Sequence, residues 1–377
     1  MSHALLVMNT EMKQGVVIVS LLVLFSCGVS CALETNVSSK QVVLPTETRM
    51  LEGLELIWQL TIGSKGWSSA IASDASKGVV YAMLPFDEGL HYKVIAEINS
   101  NGKLVRKFTM RKEGRLLHSG HLQYKTTRDL LSFTKWVGEL VAMDTNGAIL
   151  WKYGSSGINE VWTADLNGDG FDEVIIGYNG FTGLHVIDRN GKLLWKSKGG
   201  ANIWHVCTAD LDGNGKPEVI STSAKGDIRV FGTDGMRLAD IRSPPGYYGD
   251  LVRPVKLSKS GSAEGILLTG GRNRIAAVKG DGELAWEVEL PTALAGDIAE
   301  PAPHRPWIAV VSGGRFAVLN TITGSILAKT VTPTSDVGSG NCYMCWLEIK
   351  GQNSPLLILS SPQSIAAYRV IHERKSE

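Results

Sequence analysis

The amino-acid sequence predicts an all-β protein that folds as a seven-bladed β-propeller with four-stranded blades. Three observations lead to this fold class. A hairpin pattern recurs at intervals of roughly 45 residues, which is the length of one propeller blade. A second pattern, an acidic turn between two strands, recurs at the same interval. Helix-period patterns are almost absent beyond the N-terminal segment.

The hairpin pattern joins an alternating apolar strand to a second strand through a polar turn that ends in Gly. Glycine permits a positive φ at the turn, while the alternation keeps one face of each strand buried. The same place in each second strand is occupied by Trp151, Trp195, Ala239 and Trp286. The clear copies are "VAMDTNGAILWKY" (141–153), "HVIDRNGKLLWKS" (185–197), "RVFGTDGMRLADI" (229–241) and "AAVKGDGELAWEV" (276–288), with weaker copies at 95–108 and 317–330.

The acidic pattern precedes the hairpin within each repeat. "ADLNGDGFDEVII" (164–176) is matched by "ADLDGNGKPEVIS" (209–221). The next unit, "VKLSKSGSAEGILL" (255–268), keeps the Gly and Glu but has lost the other acidic residues. Each repeat is therefore expected to run from an inner strand through an acidic or degenerate turn to a second strand, and then into the hairpin, giving four short strands.

Counting the hairpins gives six complete units from about Gly63 to Thr330. The C-terminal region adds three strands without a fourth, and "LELIWQL" (54–60) is a fourth strand without its first three. Pairing of the N-terminal strand with the C-terminal strands would close the ring and leave no exposed edge. The propeller is assigned to residues 50–371. Six or eight blades are the alternatives, because the first two units are poorly marked.

Residues 1–32 have the pattern of a signal peptide, with Lys13 before the apolar run "GVVIVSLLVLF" and small residues before Leu33. Residues 33–49 would be a linker and 372–377 a tail. A lipid anchor at Cys27 is the alternative to a free mature chain. Either reading predicts export, to a secreted, periplasmic or cell-surface location, with no transmembrane segment in the mature form.

Charge and cysteine content restrict the partners. The formal net charge is +1 and the chain has no basic tract, so nucleic acid is not an expected partner. In an oxidising compartment Cys342 and Cys345 of "CYMC" could form a disulfide, while a redox pair, a metal pair or two simple thiols are alternatives. Cys207 is interpreted as a small core residue.

The hairpin copies "MDTNGAILWKY" and "IDRNGKLLWKS" resemble the blades of quinoprotein-like (PQQ-like) propellers, which include pyrroloquinoline quinone dehydrogenases and outer-membrane assembly lipoproteins. The acidic turns resemble the calcium loops of FG-GAP and VCBS propellers. The FG-GAP resemblance implies one or two structural Ca²⁺ ions. It implies ligands from Asp165, Asn167, Asp169, Glu173 and the Phe171 carbonyl, and in the second loop from Asp210, Asp212, Asn214, Glu218 and the Lys216 carbonyl.

Oxygen ligands at alternating positions suit Ca²⁺, and the glycines let the chain bend around an ion. An EF-hand is excluded because Ile176 stands where that motif requires a bidentate Glu. Metal-free polar turns are the alternative. Weaker binding is expected at the second loop, because Lys216 adds a positive charge and Asn214 removes a negative one.

A ligand-binding face is expected where loops lead into the inner strands, since equivalent positions of all blades converge on one axis. The alternative is that these polar residues make turns and that the aromatic residues pack between blades. The candidates for this face are Trp67, His118, His121, Asn159, Asn202, His205, Tyr247, Asp297, Asn341 and Tyr343.

Three functional hypotheses follow. The first is an exported, calcium-stabilised propeller that binds a protein or a carbohydrate without catalysis; no G-x-S-x-G or HExxH motif is present. The second is a PQQ-dependent dehydrogenase of alcohols or sugars, with Asp297 or Glu160 as base. The third is a polysaccharide lyase or hydrolase, for which the conceivable participants are His118, His121, His205 and Arg253.

Overall fold

The chain falls into two compact units, Met1–Asn36 and Val37–Glu377. The computed structural model describes part of the second unit, residues 51–371, apart from 63–69, 85–91, 112–113, 155, 198–201, 224–225, 260–262, 271–272, 291–293, 300, 313–314, 331–341 and 362–363. All regular elements in the described part are β-strands. No helix long and apolar enough to cross a membrane occurs in that part of the chain.

Two strands precede the first blade, β1 (Leu51–Glu52) and β2 (Leu54–Thr61). Blade 1 consists of β3 (Ile71–Asp74), β4 (Val79–Met83), β5 (Tyr92–Asn99) and β6 (Leu104–Arg111). Blade 2 consists of β7 (Leu116–Gly120), β8 (Asp129–Thr134), β9 (Val137–Met143) and β10 (Ile149–Tyr153). Blade 3 consists of β11 (Ile158–Ala164), β12 (Glu173–Tyr178), β13 (Leu184–Ile187) and β14 (Leu193–Lys196).

Blade 4 consists of β15 (Ile203–Ala209), β16 (Glu218–Ser223), β17 (Ile228–Phe231) and β18 (Arg237–Ile241). Blade 5 consists of β19 (Tyr247–Lys256), β20 (Glu264–Gly270), β21 (Arg274–Val278) and β22 (Leu284–Glu289). Blade 6 consists of β23 (Leu294–Ile298), β24 (Trp307–Ser312), β25 (Arg315–Asn320) and β26 (Ile326–Thr330). Blade 7 contains β27 (Tyr343–Leu347), β28 (Leu356–Ser360) and β29 (Ser364–Val370).

These strands form seven antiparallel sheets arranged in a ring, which confirms the predicted seven-bladed propeller. Within blades 1 to 6 the first four strands pair in chain order, from the first to the fourth. The first strand lies innermost, because first strands of successive blades contact one another, as β7 contacts β11 and β11 contacts β15. Side chains of these inner strands can therefore meet at the axis of the ring.

The N-terminal strands close the ring, as the sequence predicts. Strand β2 pairs antiparallel with β29 and supplies the fourth strand of blade 7, with Leu54 opposite Val370. Strand β1 adds a fifth strand to blade 6 by pairing with β26, with Leu51 opposite Thr330. The sequence analysis did not predict this fifth strand, because two residues are too short to show an alternating pattern.

At four junctions of the described ring, a tryptophan of an outer strand connects one blade to the next. The Trp151 indole lies on the hairpin turn of blade 3, where a Cβ added to Gly191 would lie 2.9 Å from the Trp151 Cδ2 atom. Trp151 Nε1 also donates a hydrogen bond of 2.7 Å to the Arg189 carbonyl. The same contact recurs as Trp58 on Gly102, Trp195 on Gly235 and Trp286 on Gly324. The repeated Trp and Gly positions of the sequence are therefore two halves of one inter-blade contact.

The cysteine pair lies at the start of β27, and the two residues face opposite sides of blade 7. Cys342 is buried in a cluster with Trp346 and residues of blade 6, whereas Cys345 packs against the cluster that contains Trp58. Three residues of extended strand also span about 10 Å, beyond the Cα separation of a disulfide. The two cysteines therefore belong to different packing clusters, and the disulfide stays one of the alternatives that the sequence leaves open.

Candidate functional site

Three charged or titratable side chains meet at the axis and are called the axial cluster here: Glu160 of β11, His205 of β15 and Arg253 of β19. His205 Nδ1 lies 3.1 Å from Glu160 Oε2, and Arg253 Nη2 donates to Glu160 Oε1 at 3.0 Å. The backbone N–H of Val206 donates to Glu160 Oε2 at 2.7 Å. Both carboxylate oxygens are thus hydrogen-bonded, and the cluster links blades 3, 4 and 5.

Bulges in the inner strands help to set the positions of these side chains. The register of β11 shifts between Ile158 and Glu160, and that of β15 shifts between Ile203 and His205. The extra residue of each bulge re-aims the side chains that follow it. Glu160 and His205 therefore occupy equivalent places in adjacent blades, which explains why they meet.

Glu160 is held ionised by its neighbours. Burial opposes its negative charge, but the Arg253 guanidinium and then His205 outweigh burial and hold the pKa of the Glu160 carboxyl well below its usual range. The side chain is 14% exposed and that of Arg253 is 7% exposed. A carboxylate with so low a pKa is a weak general base, so this geometry suits charge pairing better than proton abstraction.

Aromatic and hydroxyl groups flank the axial cluster. The Arg253 guanidinium carbon lies 5.4 Å from the centre of the Trp162 ring, a cation–π distance. Trp162 Nε1 donates to Thr208 Oγ1 at 3.1 Å, which ties blade 3 to blade 4. His118 of β7 stands 6.0 Å from Trp162 between ring centres, and its Nε2 lies 3.1 Å from Thr163 Oγ1. His118 is thus linked to blade 3 through Trp162 and Thr163.

A second chain of hydrogen bonds runs across blades 2, 3 and 4, and it is called the amide chain here. Asn159 is 7% exposed, and its Nδ2 donates to the Ile203 carbonyl at 2.6 Å and to Asn202 Oδ1 at 3.2 Å. Its Oδ1 accepts a hydrogen bond from Trp136 Nε1, at the turn between β8 and β9. The predicted residues Asn159 and Asn202 are thereby brought into direct contact.

The first acidic loop (165–173) is closed by its own backbone. Glu173 Oε1 accepts a hydrogen bond of 2.8 Å from Asn167 Nδ2, and burial raises the pKa of the Glu173 carboxyl. The Phe171 ring is held by Arg189, whose guanidinium carbon is 3.9 Å from the ring centre. The Asp165 carboxylate accepts from the backbone N–H groups of Gly168, Asp169 and Gly170.

The second acidic loop (210–218) brings three carboxylates together. Ligand oxygens of Asp210, Asp212 and Glu218 all lie within 4.8 Å of one another. Asp210 Oδ1 is buried without a hydrogen-bond partner, and a cation would satisfy it. Burial raises the pKa of the Glu218 carboxyl, and Asp212 and Asp210 act in the same direction. These donors fit Ca²⁺, so the described geometry favours the second loop, which the sequence predicts to be the weaker.

Other residues predicted for the binding face lie elsewhere. His121 follows the end of β7, on the side of the acidic loops, where its backbone N–H donates to Asp172 Oδ2 at 2.8 Å. The sequence placed it in a loop leading into β7, which is wrong because Leu116–Gly120 is itself that inner strand. The pKa of His121 is lowered by burial and by Arg128.

Two predicted tyrosines are packing residues. Tyr247 is buried, and its hydroxyl donates to Glu287 Oε2 at 2.9 Å. Tyr343 is half-buried and packs against two clusters, one formed by blades 7 and 1 and one formed by blades 1 and 2. Asp297 lies in β23, but its side chain is outside the described part, as are Trp67 and Asn341.

Trp136 is the residue of this region that the sequence analysis missed. It stands in the short turn of "FTKWVGEL", and its side chain is 62% exposed. A tryptophan in a two-residue turn between strands is an unusual choice, since turns favour Gly, Asn and Asp. The presence of Trp136 in a turn was therefore the feature of the sequence that could have identified it as a candidate functional residue.

Comparison with known proteins finds a similar family model and similar solved structures, among them two crystal structures. The family model is described as the lambda-carrageenase beta-propeller domain, and it matches residues 133–209. The crystal structures are of BBS1N in complex with ARL6DN, soaked with lead or with mercury. Each has a TM-score of 0.61 and 10% identity, covering 86% of this chain and 99% of the other, so the likeness shows the fold. No curated protein matches this chain.

Proposed function

We propose that this chain is an exported, calcium-stabilised β-propeller that binds a carbohydrate without catalysis. The proposal rests on one observation. The polar groups of the axial cluster and of the amide chain, on the inner strands of blades 3 and 4, are hydrogen-bonded to one another. Glu160 has both oxygens occupied and a depressed pKa. Hydrogen bonds hold these polar groups in place before a ligand arrives, which favours binding, and the low pKa of Glu160 makes it a poor acid or base.

Carbohydrate is the favoured ligand because of the family likeness. The segment matched by the lambda-carrageenase propeller domain, 133–209, includes the axial residues Glu160 and His205 and the whole amide chain. The amide and imidazole groups in this segment can donate to and accept from sugar hydroxyls. The neighbouring indoles would contact the apolar faces of sugar rings.

Calcium is proposed as a structural ion. In the second acidic loop Asp210, Asp212 and Glu218 would hold it, together with Asn214 and the Lys216 carbonyl. In the first, the corresponding residues are Asp165, Asn167, Asp169, Glu173 and the Phe171 carbonyl. The ion would join the ends of the first and second strands of its blade, far from the ligand. Export, and lipid attachment at Cys27 as its variant, rest on the N-terminal pattern of the sequence.

Two enzymatic alternatives remain as hypotheses. A hydrolase of the common type needs a second carboxylate about 5–9.5 Å from the first. The groups that contact Glu160 in the described residues are cationic or neutral donors. A PQQ-dependent dehydrogenase would need Glu160 or Asp297 as base, and the low pKa of Glu160 makes it unsuited to that role. Binding of a protein partner is the remaining non-catalytic alternative.

The test is affinity electrophoresis of the purified protein, with Ca²⁺ present, through gels that contain λ-carrageenan, agarose, alginate or dextran. We expect retardation by at least one polysaccharide and no release of reducing ends or unsaturated products. A parallel titration with pyrroloquinoline quinone should show no saturable binding. Product formation, or stoichiometric binding of the quinone, would replace the proposal with the corresponding enzyme.

A further inference from the structure

Trp136 combines exposure with backbone strain. Its side chain is 62% exposed and its φ is +67°, in the left-handed region that a bulky residue rarely occupies. His304 is the other non-glycine residue with positive φ among those described. Such backbone conformations reduce the stability of a protein and are frequent at ligand-binding sites. The conformation of Trp136 therefore suggests that this side chain has a function.

Hydrogen bonds on two sides hold Trp136 in place. Its backbone N–H donates to the Ile158 carbonyl at 2.8 Å, and its carbonyl accepts from the Gly157 N–H at 3.2 Å. Its indole Nε1 donates to Asn159 Oδ1. The ring therefore has a fixed orientation before any ligand arrives, and binding would not incur the cost of ordering it.

A second exposed indole belongs to the residue that follows one end of the amide chain. Asn159 donates to the Ile203 carbonyl, and Trp204, which follows Ile203, is 39% exposed. Trp204 lies at the bulge of β15, just as Asn159 lies at the bulge of β11. Half-exposed Asn202 sits between these elements and offers amide groups to solvent.

We infer that Trp136 is a stacking platform for one pyranose ring, with Asn202 hydrogen-bonding the sugar hydroxyls and Trp204 contacting an adjacent sugar unit. This inference rests on the proposed carbohydrate-binding function and names its subsite. A flat indole fits the C–H face of a sugar ring, while the surrounding amides match its hydroxyls. A stable protein interface would need about 1,200 Å² or more with an apolar centre. Next to Trp136, exposed Val137 adds one small apolar side chain.

The experiment compares Trp136→Ala and Trp204→Ala with Phe181→Ala by affinity electrophoresis in gels of the retarding polysaccharide. Phe181 is the matched control, because it is 90% exposed in the corresponding β12–β13 turn of blade 3. We expect the Trp136→Ala dissociation constant to rise about tenfold and that of Phe181→Ala to stay within twofold. Trp136→Tyr, which keeps a flat ring, should retain binding within about threefold. Circular dichroism and thermal unfolding of each variant check the fold.

The outcomes separate the inference from the function it rests on. Retardation of the wild-type protein with unchanged binding in Trp136→Ala would overturn the platform and leave the proposed function intact. Equal losses in Trp136→Ala and Phe181→Ala would also overturn it, since any exposed aromatic residue would then serve. Absence of retardation of the wild-type protein in all four polysaccharides would contradict both.

Discussion

Arg253 of blade 5 reaches past blade 4 to Glu160 of blade 3, with 3.0 Å between Nη2 and Oε1. Two non-adjacent blades are therefore joined directly, beside the axis. The bond is largely buried, at 7% and 14% side-chain exposure. A buried ion pair of this kind fixes the relative positions of the blades it connects, whatever its net contribution to stability.

Glu160→Gln should lower the free energy of unfolding by about 3 kcal/mol, because it leaves the Arg253 guanidinium buried without a compensating charge. Urea denaturation followed by intrinsic fluorescence measures the change. The double variant Glu160→Leu with Arg253→Met is the control, and it should recover most of the loss. Equal stability of the wild type and Glu160→Gln would show that the pair is not effectively buried.

The stabilising effect of Glu160 should disappear in acid. Its folded-state pKa lies below the unfolded value near 4.5, so the stabilisation is complete above that pH. It is lost as the pH falls from about 4.5 through the folded pKa. Urea unfolding of the wild type and Glu160→Gln from pH 7 to pH 3 tests this sign. The stability difference should shrink in acid; a constant difference would contradict the assignment.

Calcium should raise the unfolding temperature of the protein. A single site at one hundred times its Kd contributes about 2.7 kcal/mol. Asp210→Asn should reduce the Ca²⁺-dependent shift, and combination with Asp165→Asn should abolish it. Asp234→Asn serves as control, because Asp234 makes a similar turn hydrogen bond to the Met236 N–H within a hairpin. A full shift in the double variant would show that the ion binds elsewhere.

Gly191→Ala should destabilise the protein more than Gly180→Ala. Both glycines have φ of +79°, so the cost of a left-handed alanine, on the order of 1–2 kcal/mol, is shared. Only Gly191 faces an indole, with the added Cβ 2.9 Å from Trp151 Cδ2, whereas nothing lies within 4 Å of the Cβ at Gly180. Thermal unfolding measures the difference, which we expect to exceed 1 kcal/mol. Equal losses would mean that the indole moves aside freely.

Most of the fold could be predicted from the sequence because one contact repeats around the ring. The spacing of Trp151, Trp195 and Trp286, each with its turn glycine, marks the blades, and the unpaired strand at 54–60 indicates the closure. The two-residue strand β1 has no pattern of its own and depends on the edge of β26. The state of the cysteine pair stayed open, because sequence proximity does not show which face of a strand each residue occupies.

The candidate site was predicted less completely. Asn159, Asn202 and His205 were identified because they lie where the chain enters the inner strands of adjacent repeats. The pairing of Glu160 with Arg253 could not be foreseen, because it joins residues 93 positions apart in blades that are not neighbours. Trp136 could not be found in the loops that lead into the inner strands, because it lies in a turn between a second and a third strand.

The closure of the ring has a consequence for the order of assembly during synthesis. Strands β1 and β2 leave the ribosome before the other strands of the propeller, yet their hydrogen-bonding partners β26 and β29 are made much later. Until then two strand edges have no native partner and are open to pairing with other chains. Once the last blade forms, the N-terminal strand β2 and the last strand β29 hold each other in place, so neither can separate from the ring without breaking the hydrogen bonds of the other.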